Sequence, residues 1–377
     1  MPTIFSDFFT WVPVGLPAFL FIITIVVFFH ELGHFSVARA FGVSVKSFSV
    51  GFGRELVGWT DRKGTRWKIS LLPLGGYVKF AGDADVASRP DEEELKEMDP
   101  AERAGSLHFK PLYQRALVVA AGPIANFILA IAIFTIMFLV MGRPEATTAP
   151  IIGEVRVGSA ASDAGIRTGD IVKTVDSTPV ETFTAFSDLV RASEGKTLRL
   201  GLERDAQAYE VSITPRLADL PPDETGAVRK VYLVGVGNAP IWVPVGPIEA
   251  VGAAIARTWE IVATTMSYLG QIVVGQAAPD QLAGPIGIAG IAGQVAERGI
   301  LELVGLAALL SVSIGLINLF PIPMLDGGHL LYYAFEAIRG RPLGERAQEL
   351  GFRLGLAFVL CLMLFATFND LVRYKIF

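Results

Sequence analysis

The sequence has almost no cysteine and little charge. Cys361 is the single cysteine in 377 residues, so no disulfide can form within the chain and packing alone must hold any domain outside a membrane. Charged residues make up 18% of the chain and hydrophobic residues 52%, a balance too apolar for an ordinary soluble enzyme of this length. The net charge of −5 argues against a nucleic-acid partner, because phosphate binding requires a concentrated basic surface.

Long charge-free runs are present instead, and they indicate a membrane protein. Three runs exceed the length of about 20 helical residues that crosses a hydrocarbon core. These runs cover residues 8–29, 116–142 and 303–325. A fourth run at residues 354–369 is shorter, but Arg353 and Arg373 flank it and can snorkel to the interfaces. The sequence therefore predicts a mainly α-helical membrane protein with a bundle of four transmembrane spans.

A further uncharged segment, residues 261–279, is diluted by polar side chains. Glu249, Arg257 and Glu260 precede it, and this mixture is typical of an amphipathic helix that lies at the membrane surface. A helix that crosses the membrane is the alternative.

Basic residues predict the orientation of the chain. Residues 1–9 contain no lysine or arginine, and no small-residue cleavage site follows the first apolar run, so we expect the first span to be retained and not removed as a signal peptide. Lysine and arginine are concentrated between the first two spans and again near residues 339–346. The positive-inside rule places both regions in the cytoplasm, so that residues 143–300 face outward.

Residues 151–217 form a predicted α+β domain inserted between spans two and three. Short alternating strands surround one helix, between Pro150 and a proline-rich linker at residues 220–223. The turn from Gly165 to Asp170 has a Gly-x-x-x-Gly-Asp pattern that resembles PDZ domains of bacterial proteases. Such a domain can bind a peptide at a sheet edge, and a spacer or steric lid is the alternative. No second copy of the pattern occurs in residues 217–300.

The first cytoplasmic loop contains a predicted β-hairpin at residues 69–80, where strand-forming residues flank Gly75 and Gly76. Its edge can pair with an extended chain, and a hairpin without a binding role is the alternative. The predicted organisation therefore has four parts. Residues 1–150 contain spans one and two with the loop and hairpin, and residues 151–217 form the PDZ-like domain. Residues 218–300 contain a linker strand and the amphipathic segment, and residues 301–377 contain spans three and four.

A His-Glu-x-x-His motif follows the first apolar run. His30 and His34 are four residues apart and share a helix face, so both imidazoles can bind one Zn²⁺. Glu31 lies beside them and can take a proton from a metal-bound water. An ionisable group inside a membrane segment costs about 3 kcal/mol, so the three residues together indicate a functional site. Interfacial histidines that cap the span are the alternative.

Two histidines leave a catalytic zinc one protein ligand short. Asp326 is the first candidate, because two prolines break the third apolar run just before it, and a broken helix at membrane depth must be buried in protein or line a wet cavity. An N-cap of the following helix is the alternative role for Asp326. His329 is a second candidate ligand, since imidazole also suits zinc.

Three other residues have simpler predicted roles. His108 lies in a polar loop and is expected to be solvated, while Gly122 and Asn126 in the second span are expected to provide packing and polar contacts between helices.

The motifs and their order resemble the site-2 protease family, and more narrowly its bacterial members of the RseP type, the regulator of sigma-E protease. The resemblance covers nearly the whole chain: His-Glu-Leu-Gly-His at residues 30–34, Asn-x-x-Pro-x-Pro-x-Leu-Asp-Gly-Gly at residues 318–328, and the PDZ-like insert. It implies an intramembrane zinc protease in which His30, His34 and Asp326 bind Zn²⁺ and Glu31 is the general base.

The resemblance also implies a substrate and a location. Asn318 would position the substrate near the metal, and the hairpin with Gly75, Gly76 and Tyr77 would dip into the bilayer beside it. The substrates would be transmembrane segments of single-pass membrane proteins, such as anti-sigma factors already trimmed by another protease, or remnant signal peptides. This is regulated intramembrane proteolysis in the bacterial inner membrane, with the active site toward the cytoplasm and the PDZ-like domain in the periplasm.

Two other functions fit parts of the sequence. A membrane scaffold or transporter would bind the metal without hydrolysis and has no need for Glu31. A metalloprotease that is merely anchored by its spans would cut loops and not transmembrane segments.

Overall fold

Helices carry the long apolar runs in the computed structural model, which describes residues 3–84, 92–156, 158–219, 230–279 and 282–373. Besides one 3-10 turn at Leu107–Phe109, the described helices are α1 (Thr3–Ala40), α2 (Glu92–Glu97), α3 (Pro100–Gly105), α4 (Leu112–Met141), α5 (Ala160–Asp163), α6 (Phe183–Ala192), α7 (Pro247–Val273), α8 (Pro285–Arg298), α9 (Ile300–Asn318), α10 (Asp326–Arg339) and α11 (Glu345–Arg373). The linker predicted at residues 220–223 lies outside the described residues.

The strands are concentrated in two regions of the chain. They are β1 (Val45–Thr60), β2 (Arg66–Phe80), β3 (Arg143–Glu145), β4 (Ile152–Val155), β5 (Ile171–Val175), β6 (Thr178–Pro179), β7 (Leu198–Arg204), β8 (Gln207–Ile213), β9 (Arg216–Asp219), β10 (Lys230–Leu233), β11 (Val236–Asn238) and β12 (Ile241–Val243). The chain divides into a helical unit, Met1–Phe138 with Pro247–Phe377, and a strand-rich unit, Leu139–Gly246.

Four described helices are long and apolar enough to cross a membrane, as the sequence predicts. They are Val12–Ala40 within α1, all of α4, all of α9, and Arg346–Arg373 within α11. The third span ends at Asn318 and not at residue 325, because the prolines that follow cannot donate helical hydrogen bonds. α7, which contains most of the segment predicted to be amphipathic, is not among these four helices.

Small residues allow the helices of the helical unit to approach closely. A Cβ atom on Gly33 of α1 would lie 2.2 Å from the backbone oxygen of Ala121 in α4, so only glycine permits this crossing. α1 also packs against α8 and α9, where Ile22 and Val26 are buried in a shared apolar cluster with Ala292. α1 is therefore the central helix of this unit.

Phe48 of β1 fixes the strand pair against α1. Its fully buried ring contacts Phe28 and Phe35 of α1 and stacks on Trp67 of β2, with a centroid separation of 4.4 Å to the indole. Aromatic side chains of this size contribute a large share of the free energy that packing supplies.

The predicted hairpin at residues 69–80 is wrong in its pairing. β1 pairs with β2, and Val50 pairs both with Ile69 and with Gly76, so β1 separates the two arms that were expected to pair with each other. The turn between β1 and β2 contains Asp61, whose carboxylate accepts the N–H groups of Lys63 and Thr65. Alternation along a strand defines its faces but not its partner.

The strand-rich unit is built on a four-stranded sheet in the order β6-β5-β7-β8, with α6 packed against it. Phe186 of α6 is buried against Val172, Leu200 and Leu202 of the sheet. Three further pairs, β9 with β10, β4 with β11 and β3 with β12, complete the unit. Its boundaries at Leu139 and Gly246 are wider than the predicted 151–217. The reason is that β11 and β12 return to pair with β4 and β3 at its beginning, while β10 pairs with β9.

A buried carboxylate joins two parts of this sheet. Asp170 is fully buried, and both of its oxygens accept hydrogen bonds from Arg204, at 2.7 and 2.8 Å, while the Tyr209 hydroxyl donates to it at 2.6 Å. Burial raises the pKa of Asp170, but the hydrogen bonds from Arg204, Arg167 and Tyr209 outweigh it and hold that pKa below its ordinary value. The ion pair between Asp170 and Arg204 is a local anchor of the Gly-Asp turn.

Candidate metal centre

α1 presents His30 and His34 on one face. Their Nε2 atoms are 3.3 Å apart, because residues four apart are neighbours along the same side of a helix. Nδ1 of His34 lies 2.9 Å from the backbone oxygen of Val118 in α4. A carbonyl only accepts hydrogen bonds, so Nδ1 of His34 carries the proton and Nε2 keeps its lone pair.

The chain between α9 and α10 brings Asp326 to the two histidines. Its backbone passes so close to the first turn of α10 that a Cβ atom on Gly327 would lie 2.2 Å from the oxygen of Phe320, and one on Gly328 would lie 2.5 Å from the oxygen of Ile322. Two consecutive glycines therefore allow the broken segment to fold back over the start of α10.

The three donor atoms form a nearly equilateral triangle. Oδ2 of Asp326 is 3.2 Å from Nε2 of His30 and 3.5 Å from Nε2 of His34. Two ligands of a tetrahedral zinc ion, with bonds of about 2.0–2.1 Å, are about 3.3–3.4 Å apart. Oδ2 of Asp326 is buried and has no hydrogen-bond partner, a costly arrangement unless a cation binds there. The donor set fits zinc, and a fourth position is left for water or substrate.

Asp326 is not an N-cap. The N-cap of α10 is Leu325, which offers no side-chain acceptor, and Asp326 is the first residue of the helix. The carboxylate of Asp326 points to the histidines of α1 and does not cap the N–H groups of its own helix. His329 lines the same cavity but is not part of the close group of donor atoms, which comprises His30, His34 and Asp326 among the described residues.

Gly122 of α4 makes room for both imidazoles. A Cβ atom at this position would lie 2.3 Å from Nε2 of His34 and 2.9 Å from Cε1 of His30. Both distances are far below van der Waals contact, so any side chain here would displace the histidines. Gly122 therefore does more than pack α4 against a neighbouring helix, as the sequence suggests: it leaves the space that the two imidazole rings occupy.

A cavity of about 200 Å³ opens beside the three donor atoms. Glu31 lines it next to the histidines, and Asn318 lines it from the end of α9. Other lining residues include Val78, Phe80, Val118, Met324, His329 and Tyr333. A polar cavity of this size has room for water.

The three hairpin residues predicted to contact substrate do not share one environment. A Cβ atom on Gly76 would lie 3.5 Å from Cγ of Glu31, whereas one on Gly75 would lie 2.7 Å from the ring of Phe52. Tyr77 stacks on Phe52 with a centroid separation of 5.9 Å. Gly76 is thus next to the site, and Gly75 and Tyr77 pack within the sheet.

Two residues have closer relations to the site than the sequence indicates. His108 is not simply solvated: it is half-buried, its Nε2 is 3.0 Å from Oδ1 of Asp83, and it lines the cavity. Nδ2 of Asn126 is 3.3 Å from Nδ1 of His30. An amide within an apolar span was the available signal for Asn126, but the sequence does not show which side chain it meets.

His30 and His34 lie on the candidate span α1, and Asp326 begins α10 shortly after the candidate span α9. This arrangement of donors is that of a membrane-bound metallopeptidase, which gives the class of this protein. Sequence comparison then gives the family: Peptidase family M50 matches residues 18–362. The chain belongs to this family, which comprises the site-2 proteases, and is a zinc metalloprotease. The predicted family, enzyme class and metal are confirmed.

Relatives match over nearly the full length. A protein of Rhizobium meliloti named as a candidate zinc metalloprotease is 46% identical over 362 residues, which are 94% of this chain and 96% of the relative. Metalloprotease MmpA of Caulobacter vibrioides is 40% identical, and the match covers 96% of each chain. The PDZ domain of an SdrC-like protein from Listeria monocytogenes matches 24% of this chain and 87% of its own at 15% identity, but its TM-score of 0.19 is too low to support an argument.

Proposed function

We propose that this protein hydrolyses peptide bonds within transmembrane segments of single-pass membrane proteins, in the inner membrane of a bacterium. One observation carries the proposal: the three donor atoms and Glu31 belong to α1 inside a candidate span and to the segment that follows the span α9. A site in this position is reached by a chain that lies in the bilayer.

We assign the metal ligands as His30, His34 and Asp326. Bound zinc would polarise the scissile carbonyl and acidify a water molecule to a pKa of about 7. Glu31, in the cavity wall beside the histidines, takes the proton from the attacking water and delivers it to the leaving amine. Asn318 reaches the same cavity and can hydrogen-bond to the substrate backbone, which holds the peptide for attack.

The substrate must unwind before it is cut, because the carbonyl groups of a helix are already hydrogen-bonded. The part of β2 from Gly76 to Phe80 lies at the outside of its sheet, and no described strand pairs with its outer edge. Val78 and Phe80 of this part line the cavity. An unwound substrate can therefore pair with this edge and extend past Glu31.

The strand-rich unit is assigned a PDZ-like role outside the cytoplasm. A groove of about 140 Å³ lies between α6 and β11, lined by Ser187, Val190, Leu233, Gly235 and Val236 among others. It fits an extended peptide or chain end. If this unit and the amphipathic α7 exclude larger, untrimmed substrates, the protease selects substrates that another protease has already trimmed. α7 presents exposed Ile248 and Trp259 for contact with the bilayer surface.

The central test is Glu31→Gln in the full-length protein, in lipid, with a single-pass substrate. We expect the variant to retain zinc and to lose cleavage. Glu302→Gln is the matched control, because it makes the same substitution at an exposed residue near the start of α9 and should leave zinc binding and cleavage unchanged. Cleavage products are mapped by mass spectrometry. Cuts in loops would point to an anchored protease, and normal function of Glu31→Gln would point to a scaffold or transporter.

The groove is tested separately. Ser187→Trp fills it, while Ala185→Trp places the same side chain on the exposed face of α6. Weaker binding of peptides with a free C-terminus to Ser187→Trp alone supports peptide capture. Unchanged binding together with retained preference for trimmed substrate leaves the unit as a size filter.

A further inference from the structure

Asn126 is a fully buried amide in the middle of α4 that the proposed hydrolysis does not use. Its Nδ2 lies 3.3 Å from Nδ1 of His30, on the opposite side of the ring from Nε2, which faces Asp326. Its Oδ1 is buried and has no hydrogen-bond partner. A buried acceptor without a partner destabilises the fold, so this position requires a physical reason.

The two histidines of α1 differ in what faces Nδ1. The carbonyl of Val118 faces Nδ1 of His34, and a carbonyl can only accept a hydrogen bond. The amide of Asn126 faces Nδ1 of His30, and a 180° rotation of that amide exchanges its N–H₂ group for its oxygen. The tautomer of His34 is therefore fixed by the backbone, whereas the tautomer of His30 depends on the orientation of one side chain.

We infer that Asn126 is a positioning residue for the metal centre, which presents Oδ1 to His30 and accepts its Nδ1–H when zinc is bound. The inference rests on the proposed set of zinc ligands. In this orientation Nε2 of His30 carries no hydrogen and offers its lone pair to the metal. In the opposite orientation Nδ2–H donates to Nδ1, the ring proton moves to Nε2, and the ligand atom is blocked.

A second helix holds the backbone of Asn126. The hydroxyl of Ser311 in α9 donates to the backbone oxygen of Asn126 at 2.8 Å, and Ser311 is fully buried. This contact involves the main chain only. Ser311→Ala therefore loosens the packing between α4 and α9 at this point but leaves the amide of Asn126 intact, which makes it a matched control.

The experiment measures zinc affinity of the full-length protein in detergent by competition with a chromophoric chelator, and helical content by circular dichroism. We expect Asn126→Leu and Asn126→Ala to bind zinc about 10–100-fold more weakly, the range typical of lost outer-shell partners, and Asn126→Asp, which retains an acceptor, to stay within about threefold of the unmodified protein. Ser311→Ala should behave like the unmodified protein. Two truncating variants are used so that misfolding of one does not decide the result.

Equal weakening of zinc binding by Asn126→Asp and by the truncating variants would overturn the inference, as would full zinc affinity in a folded Asn126→Leu protein. His34→Ala separates this failure from failure of the proposed function. If His34→Ala binds zinc as tightly as the unmodified protein, the proposed ligand set is wrong and the inference falls with it. If His34→Ala loses zinc and the truncated Asn126 variants do not, the inference alone is wrong.

Discussion

Arg115 at the start of α4 forms a two-pronged ion pair with Glu336 in α10, although 221 positions separate them in the chain. Nη1 of Arg115 is 3.1 Å from Oε2 of Glu336, and the second nitrogen contacts the other carboxylate oxygen. The guanidinium also lies 5.0 Å from the centroid of the Tyr333 ring. Because α10 begins with Asp326, this pair holds the helix that carries the third donor atom against α4.

Removal of one partner of this pair should be more harmful than removal of both. Glu336→Leu leaves the largely buried Arg115 without its counter-charge, a loss of about 3–5 kcal/mol in the free energy of unfolding. Arg115→Met combined with Glu336→Leu should recover much of that loss. Denaturant titration of the purified protein in detergent measures both. Strict additivity of the two single substitutions would contradict the expectation.

Gly122→Ala should impair metal binding without unfolding the chain. The new Cβ atom would occupy space now filled by the His34 and His30 rings, so we expect zinc affinity to fall at least about tenfold. Gly252→Ala is the matched control, because Gly252 lies in the interior of α7 and a Cβ atom there meets no neighbour. Metal content per chain, determined after dialysis, distinguishes the two. Full zinc content in Gly122→Ala would show that the rings can shift without loss of binding.

The strand-rich unit should lose stability in acid through Asp170. The pKa of Asp170 is depressed in the fold, so its contribution to stability is complete above its unfolded pKa of about 3.9 and is lost as the pH falls through that value toward the lower folded pKa. Asp170→Asn removes charge-assisted hydrogen bonds worth about 1.5–3 kcal/mol.

Hydrogen exchange of β5 and β7, corrected for intrinsic rates, is the appropriate measurement. Asp170→Asn should exchange faster than the unmodified protein at neutral pH, and the difference should shrink below about pH 4. Asp163→Asn is the control, because its ion pair with Arg216 is solvent-exposed and worth at most about 1 kcal/mol. A difference that is independent of pH would exclude the assigned role of the Asp170 charge.

Asp370 should be required for the first turn of α8. Its two oxygens accept the N–H groups of Gly284 and Gly287 at 3.0 and 2.8 Å, and the N-cap Gly284 has no side chain of its own to do so. Asp370→Leu leaves both donors unpaired, at about 1–3 kcal/mol each. We expect faster hydrogen exchange at residues 284–288 in Asp370→Leu. Asn369→Ala is the control and should not change this exchange, because the hydrogen bond that it loses is to Pro279. Equal protection in Asp370→Leu would show that water replaces the carboxylate.

The parts of this fold that follow from a local pattern could be predicted, and those that depend on partners could not. Apolar length defines the spans, and the spacing of His30 and His34 defines a shared helix face, so both are readable from the sequence. The partner of β2 is not, because alternation is the same for an inner and an outer strand. The contacts of Gly75 and Tyr77 with Phe52 depend on this pairing and could not be predicted either.

The candidate site divides in the same way. Residue type and the broken apolar run suggest Asp326, but the choice between ligand and helix cap depends on where its carboxylate points, and that direction is set by the backbone folding over Gly327 and Gly328. Asn126 gives even less local signal. A lone amide in an apolar helix shows no partner in the sequence, and His30 is 96 residues away.

One face of α4 contacts the two histidines of α1 at intervals of four residues. The carbonyl of Val118 fixes the ring of His34, Gly122 leaves space for both imidazole rings because it has no side chain, and the amide of Asn126 contacts His30. Because residues four apart lie on the same side of a helix, these three positions keep a fixed orientation relative to one another. Insertion of a single residue before Val118 would turn the whole face by about 100°. A mutation of that kind alters no metal ligand and no catalytic group, yet it would remove all three contacts at once. The part of α4 before Val118 should therefore tolerate exchange of its lipid-facing side chains far better than a change in its length.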